Sequence, residues 1–126
     1  METLAEAISL HRAGELERAE EVYLTVLKVD STNPDALHFL GILYHQRGRG
    51  HEAAELIRKA LLTAPDYSGA WTNLGNIQLE LGNLEEAEAA YTRSLSLDPD
   101  QPGPLSNLGI LFRARGRPEE AVAMLQ

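Results

Sequence analysis

Histidines and neighbouring carboxylates are the side chains of this sequence that could carry out chemistry. His38 and His45 are seven residues apart, so on a helix they share a face but lie about 10 Å apart along the axis. That separation is too large for both imidazoles to bind one metal ion. Glu85 and Glu86 are adjacent, and adjacent helical side chains point about 100° apart. We therefore predict no metal site, no cofactor and no catalytic activity for this chain.

The composition excludes several classes of function. The 126 residues include 19 acidic and 11 basic side chains, which gives a formal net charge of −8. Because binding to a phosphate backbone needs clustered cations, we expect no nucleic acid partner. The chain has no cysteine, which rules out disulfides and thiolate chemistry.

Two features argue against a membrane or secreted protein. The longest uninterrupted apolar run, Phe39–Tyr44, is far shorter than the ~20 residues of a membrane-spanning helix. The N-terminal sequence is acidic, whereas a signal peptide has a basic start and an apolar core. We therefore predict a cytoplasmic protein that does not bind membranes.

A repeat of 34 residues organises the sequence. Self-similarity at such a period indicates one supersecondary unit stacked several times. The residues that recur at this spacing are Gly14, Gly48, Gly82 and Gly116; Ala19, Ala53, Ala87 and Ala121; and the pairs Leu40–Gly41, Leu74–Gly75 and Leu108–Gly109. The agreement in phase over four cycles indicates a repeat protein.

The pattern of the third cycle is typical of two helices joined by a short turn. Apolar residues at helical spacing precede Gly82, and glycine can take the left-handed conformation that closes a helix. Asn83 is then a suitable N-cap for the second helix, which we expect to end before Pro99. Gly75 and Ala87 have little side chain, so we expect the two helices to approach closely at these positions.

The third cycle resembles the tetratricopeptide repeat (TPR), and the resemblance is carried by Trp71, Leu74, Gly75, Gly82, Ala87, Tyr91 and Pro99. It implies an all-α fold, a right-handed superhelical solenoid of antiparallel helix pairs. It also implies a single array with repeats at residues 1–33, 34–67, 68–101 and 102–126, of which the last is truncated. We expect Trp71 and Tyr91 to pack in the core.

The fourth repeat stops midway through its second helix. Ala121, Met124 and Leu125 then have no following helix to cover them. Exposed apolar ends of this kind promote association. We therefore expect either that the chain is a piece of a longer protein or that this end self-associates with a second copy.

In the TPR family the first helix of each pair lines a concave groove that holds partner peptides. The resemblance carries this peptide-binding role to His38, Phe39, Ile42, His45, Thr72, Asn73, Asn76, Leu79, Asn107, Ile110 and Arg113. The corresponding positions of the first repeat are Leu4, Ala5, Ile8, His11 and Arg12. An aromatic side chain in a groove, such as Phe39, is a good binding anchor.

Asn73 and Asn107 hold equivalent positions one repeat apart. This is similar to the asparagine ladder in the repeats of the O-linked N-acetylglucosamine transferase, where side-chain amides bond an extended peptide backbone. An amide can do so because it offers both a donor and an acceptor. Asparagine is also a common polar choice at such a position, so both interpretations stay open. A carboxylate clamp is not expected, because Thr72 and Ser106 stand where one TPR subclass has cations.

The leading hypothesis is a protein–protein interaction module that binds an extended peptide or a partner helix in its concave groove. A second hypothesis makes the chain the substrate-recruiting N-terminal arm of a larger enzyme such as a transferase. A third makes it a self-assembling scaffold element. In each case the partner is a protein or a peptide.

Overall fold

A computed structural model of the chain describes residues 2–116, and all regular secondary structure in that range is α-helical. The helices are α1 (Leu4–Arg12), α2 (Leu16–Val29), α3 (Pro34–Gln46), α4 (Gly50–Thr63), α5 (Ser68–Glu80), α6 (Leu84–Leu97) and α7 (Pro102–Ala114). The predicted all-α fold is therefore confirmed. Within residues 2–116 no helix has the length and apolar character needed to cross a membrane.

The helix starts repeat with the period of the sequence. α3, α5 and α7 begin at residues 34, 68 and 102, and α2, α4 and α6 begin at residues 16, 50 and 84. A glycine with positive φ follows each first helix; Gly82, at φ +83°, is the one between α5 and α6. Because L-residues rarely adopt this conformation, glycine ends the first helix of each pair, as predicted for Gly82.

Side-chain capping differs from the sequence expectation at α6. Asn83 does precede α6, but its side chain makes no capping hydrogen bond. It donates instead to Gln78 Oε1 at 2.7 Å. The predicted N-cap position of Asn83 is therefore confirmed, but its side chain does not cap the helix. Thr3 and Asn33 are true N-caps, because their side-chain oxygens accept from the backbone N–H of Glu6 and Ala36.

Two glycines let the helices of a pair pack backbone against side chain. A Cβ atom on Gly75 would lie 2.6 Å from Cε1 of the Tyr91 ring, and one on Gly41 would lie 2.7 Å from Ile57 Cγ1. Real Cβ atoms essentially never approach so closely. The predicted close approach at Gly75 is confirmed, and the side chain that fills the space is Tyr91.

The chain divides into two compact units, unit 1 (Met1–Pro65) and unit 2 (Asp66–Gln126). In unit 1, α1 packs on α2, α3 packs on α4, and α2 also packs on α3. The buried core between them includes Ala7, Ala19, Tyr23, Leu40, Leu43, Ala53 and Ile57. Small residues at Ala19 and Ala53 allow these contacts, because larger side chains would overpack them.

In unit 2, α6 packs on both α5 and α7. One buried cluster consists of Ala87, Tyr91, Leu108, Leu111 and Phe112. Tyr91 is fully buried, as expected, whereas Trp71 is only partly buried. Ala121, Met124 and Leu125, for which we predicted self-association, lie outside the described residues.

Candidate functional site

The predicted groove residues lie in rows along the first helix of each pair. Residues three apart in a helix are surface neighbours. The rows are Ile8 and His11 on α1; Phe39, Ile42 and His45 on α3; Asn73, Asn76 and Leu79 on α5; and Asn107, Ile110 and Arg113 on α7. All of these side chains are at least partly exposed. Each unit therefore carries its own candidate face, and the two are described separately.

Unit 1 has a cleft on this face, here named the unit-1 cleft. Its volume is about 350 Å³, and it is lined by Ile8, His11, Arg12, Tyr23, Phe39, Ile42 and Gln46. It therefore falls at the lower end of the ~300–1,000 Å³ typical of ligand pockets. The structure thus brings Phe39 and Ile42 together with three first-repeat residues that the resemblance had assigned to the groove: Ile8, His11 and Arg12.

His11 connects two sides of the unit-1 cleft. Its Nε2 lies 2.7 Å from Gln46 Oε1, and its Nδ1 lies 2.9 Å from the Tyr23 hydroxyl. Because an amide oxygen only accepts, His11 Nε2 donates to Gln46, and Nδ1 accepts from Tyr23. Both ring nitrogens are therefore engaged, and the imidazole is held in one orientation between α1 and α3.

The tyrosine beneath this histidine is fully buried. Burial raises the pKa of Tyr23 to about 12, and the positive charge of Arg12 opposes that shift. The phenol therefore remains a neutral hydrogen-bond donor at physiological pH. Its bond to His11 links the core of unit 1 to the surface of the unit-1 cleft.

His38 is a correction to the predicted set, since only 5% of its surface is exposed. Its ring stacks on Phe39, with centroids 5.4 Å apart. Burial lowers the pKa of His38 to about 4, although the nearby Asp35 carboxylate opposes this shift. His38 is thus a neutral core residue that supports Phe39 and offers almost no surface to a partner.

On unit 2, Asn76 and Asn107 are hydrogen-bonded across two first helices. Asn107 Nδ2 donates to Asn76 Oδ1 at 3.0 Å, and the Tyr91 hydroxyl donates to the same oxygen at 2.6 Å. Burial raises the pKa of Tyr91 to about 12, a shift that Asn107 opposes and Glu80 reinforces. The hydrogen bond from Asn107 joins it to Asn76, not to Asn73, its equivalent in the sequence repeat.

Thr72 has an internal role in unit 2. Its hydroxyl lies 2.6 Å from Ser94 Oγ, and it also contacts the Ser68 carbonyl and Gln101 Oε1 at 3.2 Å. Gln101 Nε2 in turn donates to Ser94 Oγ at 2.9 Å. This network ties α5 to α6 and to the residue before α7, so the Thr72 hydroxyl is directed into the unit and not toward a groove.

The remaining predicted residues differ in exposure. Ile110 is 56% exposed, and Arg113 is exposed beside it. Leu79 packs against the buried cluster of unit 2, while Asn73 and His45 are partly buried. The structure describes no group of three or more potential metal ligands within residues 2–116.

Two tyrosine hydroxyls were missed as part of these faces. Tyr23 and Tyr91 hold the same repeat position, and sequence reasoning assigned Tyr91 to the core. Their rings are buried, but their hydroxyls contact His11 and Asn76 at the surface rows. The signal was available in principle, because a buried tyrosine usually needs a partner for its hydroxyl.

Family models agree with the repeat pattern. Three models described as tetratricopeptide repeat match residues 4–68, 68–101 and 102–126. The chain belongs to the tetratricopeptide repeat family. Membership in the TPR family supports a protein-interaction module.

The TPR chain is similar to several solved structures. A MamA structure superposes with a TM-score of 0.87 at 23% identity, covering 94% of this chain and 69% of that one. A MamA fragment from Desulfovibrio magneticus RS-1 gives 0.88 at 21% identity, covering 97% and 69%. The first TPR of Spaghetti (RPAP3), bound to the HSP90 peptide SRMEEVD, gives 0.86 at 21% identity and covers 89% of each chain. At these identities the similarity is one of fold, and no curated protein matches the chain.

Proposed function

We propose that this TPR protein binds an extended peptide segment of a partner protein on the first-helix faces of its units. The observation that carries the proposal is the unit-1 cleft, an open concavity of about 350 Å³ with Phe39, Ile42 and Ile8 in its wall. Ligand pockets combine apolar walls of this kind with a few placed polar groups. His11 is a polar group of this kind, because Tyr23 and Gln46 fix its ring.

The face of unit 2 supports the same function with different chemistry. Asn76 Oδ1 already accepts two hydrogen bonds. The bond between the two residues uses neither Asn107 Oδ1 nor Asn76 Nδ2. An extended backbone needs one acceptor and one donor per residue, so the pair has the complementary groups. Ile110 lies beside Asn107 as an exposed apolar contact.

An extended peptide is favoured as the ligand class by one structural neighbour. That TPR was solved with a short peptide, SRMEEVD. The four repeats proposed for this chain, at residues 1–33, 34–67, 68–101 and 102–126, belong to a single TPR array, and each unit presents its own first-helix face to a peptide.

Selection from a displayed peptide library tests this proposal. Selected peptides are expected to lose affinity for Phe39→Ala in unit 1 or for Ile110→Ser and Asn107→Ala in unit 2. Exposed second-helix residues provide matched controls, Lys59→Ala on α4 and Thr92→Ala on α6. Circular dichroism melting establishes that each variant is folded.

The pattern of loss decides the outcome. Peptides that bind every first-helix variant as tightly as the unmodified protein would contradict the proposal. Loss confined to the Lys59 or Thr92 controls would place binding on the second helices instead.

A further inference from the structure

The unit-1 cleft has a charge that differs from that of the chain as a whole. The chain has a formal net charge of −8, yet the residues that line the cleft include no aspartate or glutamate. They include one arginine, Arg12. The cleft is thus an apolar surface with a single fixed positive charge at its edge.

Arg12 also differs from the other arginines of unit 1 that have assigned partners. Arg18, Arg47 and Arg49 lie 3.1, 3.6 and 2.5 Å from the carboxylates of Glu15, Glu20 and Glu52. Arg12 is exposed and forms no ion pair within residues 2–116. Within the described part of the chain its guanidinium donors are therefore not used in an ion pair.

Among the polar side chains that line the cleft, Arg12 is the one with a fixed positive charge, whereas the amide nitrogen of Gln46 is a neutral donor. Both nitrogens of His11 are engaged by Tyr23 and Gln46. The Gln46 oxygen is used in the same bond. The rest of the wall is Ile8, Phe39 and Ile42, and the Phe39 ring is fixed by stacking on the buried His38.

We infer that the unit-1 cleft binds an apolar side chain of a partner peptide while an adjacent carboxylate of that peptide pairs with Arg12. This inference rests on the proposed function and names the class of peptide. The apolar residue removes surface of Phe39 and Ile42 from water. The carboxylate matches the guanidinium, which can donate two parallel hydrogen bonds.

A carboxylate fits this place better than a phosphate group does. Arg12 is the last residue of α1, where the negative end of the helix dipole lies. That end and the net charge of −8 both oppose an incoming dianion more than a monoanion. We therefore assign the cleft to an acidic peptide segment, an apolar residue next to aspartate or glutamate.

Synthetic peptides with one variable pair in a glycine–serine host test this inference by fluorescence polarisation. The variable pairs are Leu–Glu, Leu–Gln, Ser–Glu and Leu–phosphoserine. The Leu–Glu peptide is expected to bind tightest. Replacing its glutamate by glutamine is expected to weaken binding up to about fivefold, the range of an exposed ion pair.

Variants of the protein complete a double-mutant cycle. Arg12→Gln is expected to weaken the Leu–Glu peptide up to about fivefold and to leave the Leu–Gln peptide unchanged. Arg18→Gln is the matched control, because it removes the same charge from an exposed arginine of unit 1 that already has a partner.

Several results would overturn the inference. Equal affinity for the Leu–Glu and Leu–Gln peptides would exclude the carboxylate contact, and equal affinity for Leu–Glu and Ser–Glu would exclude the apolar one. Equal effects of Arg12→Gln and Arg18→Gln would mean that only overall charge matters. Tighter binding of the Leu–phosphoserine peptide than of the Leu–Glu peptide would show that the cleft prefers a phosphate to a carboxylate. The absence of measurable binding by all four peptides would also contradict the inference. Library peptides that still require Phe39 would, in each case, leave the proposed function standing.

Discussion

Asn107 Nδ2 donates a hydrogen bond to Asn76 Oδ1 at 3.0 Å, so two surface asparagines of unit 2 are already connected before a partner binds. The Tyr91 hydroxyl donates to the same oxygen at 2.6 Å. Asn76 thereby has a structural function as acceptor for a buried tyrosine, and Asn107 is the more available of the two amides. The pair is preorganised, which lowers the entropy cost of binding a peptide backbone.

Truncation of the two asparagines should affect stability unequally. Asn76→Ala leaves the hydroxyl of the fully buried Tyr91 without this acceptor, which is expected to cost about 1–3 kcal/mol. Asn107→Ala removes a donor of a partly buried residue and leaves the bond from Tyr91 to Asn76 in place, so it is expected to cost less than about 1 kcal/mol. Urea titration of both variants measures the difference. The double variant Asn76→Ala/Tyr91→Phe is the control, since removal of both partners should recover part of the lost free energy of unfolding. A larger destabilisation by Asn107→Ala than by Asn76→Ala would contradict this account.

Gly75 should not tolerate a methyl group. A Cβ atom there would lie 2.6 Å from the Tyr91 ring, and a buried ring cannot move away without disturbing its neighbours. We expect Gly75→Ala to destabilise unit 2 by about 1–3 kcal/mol, more than the helix propensity of alanine recovers.

Gly103 in α7 is the matched control for this substitution. A Cβ atom on Gly103 meets nothing within 4 Å, so Gly103→Ala is expected to leave stability unchanged or to raise it by up to about 1 kcal/mol. Guanidinium titrations of both variants measure the two changes, and equal changes would show that close packing at Gly75 is not the cause.

Much of the fold could be predicted because glycine and alanine recur at the positions where the repeat requires a small residue. The spacing of Gly48 and Gly82 marks the end of a first helix, since only glycine readily takes positive φ. Gly75 and Ala87 mark helix contacts, since larger residues do not fit. These are local steric rules, and the structure obeys them at Gly75 and Gly82.

The candidate faces were less predictable, because partners of polar side chains depend on three-dimensional contacts. Asn83 occupies the predicted N-cap position of α6, but its side-chain amide bonds Gln78 and not the helix N-terminus. Thr72 looked like a surface residue, but Ser94 and Gln101 engage its hydroxyl. His38 has a polar side chain and was predicted to line the groove, but tertiary packing buries it.

Alkaline pH should weaken both units through their buried tyrosines. The pKa values of Tyr23 and Tyr91 are raised from 10.0 to about 12. Above pH 10 the unfolded state therefore loses phenolic protons before the folded state does, so stability falls as pH rises toward 12. At pH 11 the loss is expected to be about 1 kcal/mol for each tyrosine.

Phenylalanine variants separate this effect from other alkaline transitions. Tyr23→Phe and Tyr91→Phe should each make the decline in stability between pH 9 and pH 11 shallower, when measured by urea titration at each pH. A decline that stays as steep in both variants would show that these tyrosines do not cause it.

Mild acid should destabilise unit 1 through His38. The pKa of His38 is lowered by burial from 6.5 to about 4. Between these values the unfolded state binds a proton that the folded state does not, so stability falls as pH drops below 6.5 and the loss is complete below the folded pKa. From pH 7 to pH 5 the loss from this group is expected to be about 2 kcal/mol.

The same protonation would also disturb the cleft, because the His38 ring stacks on Phe39, which lines it. His38→Gln is expected to have lower stability at pH 7, since a well-packed ring is lost, but a smaller change between pH 7 and pH 5. His51→Gln is the control, because His51 is an exposed histidine of the same unit. Urea titrations at the two pH values give the four free energies of unfolding. If His38→Gln and His51→Gln respond to pH alike, the acid sensitivity does not arise from the buried imidazole, and Phe39 is held in place by something other than its neutral neighbour.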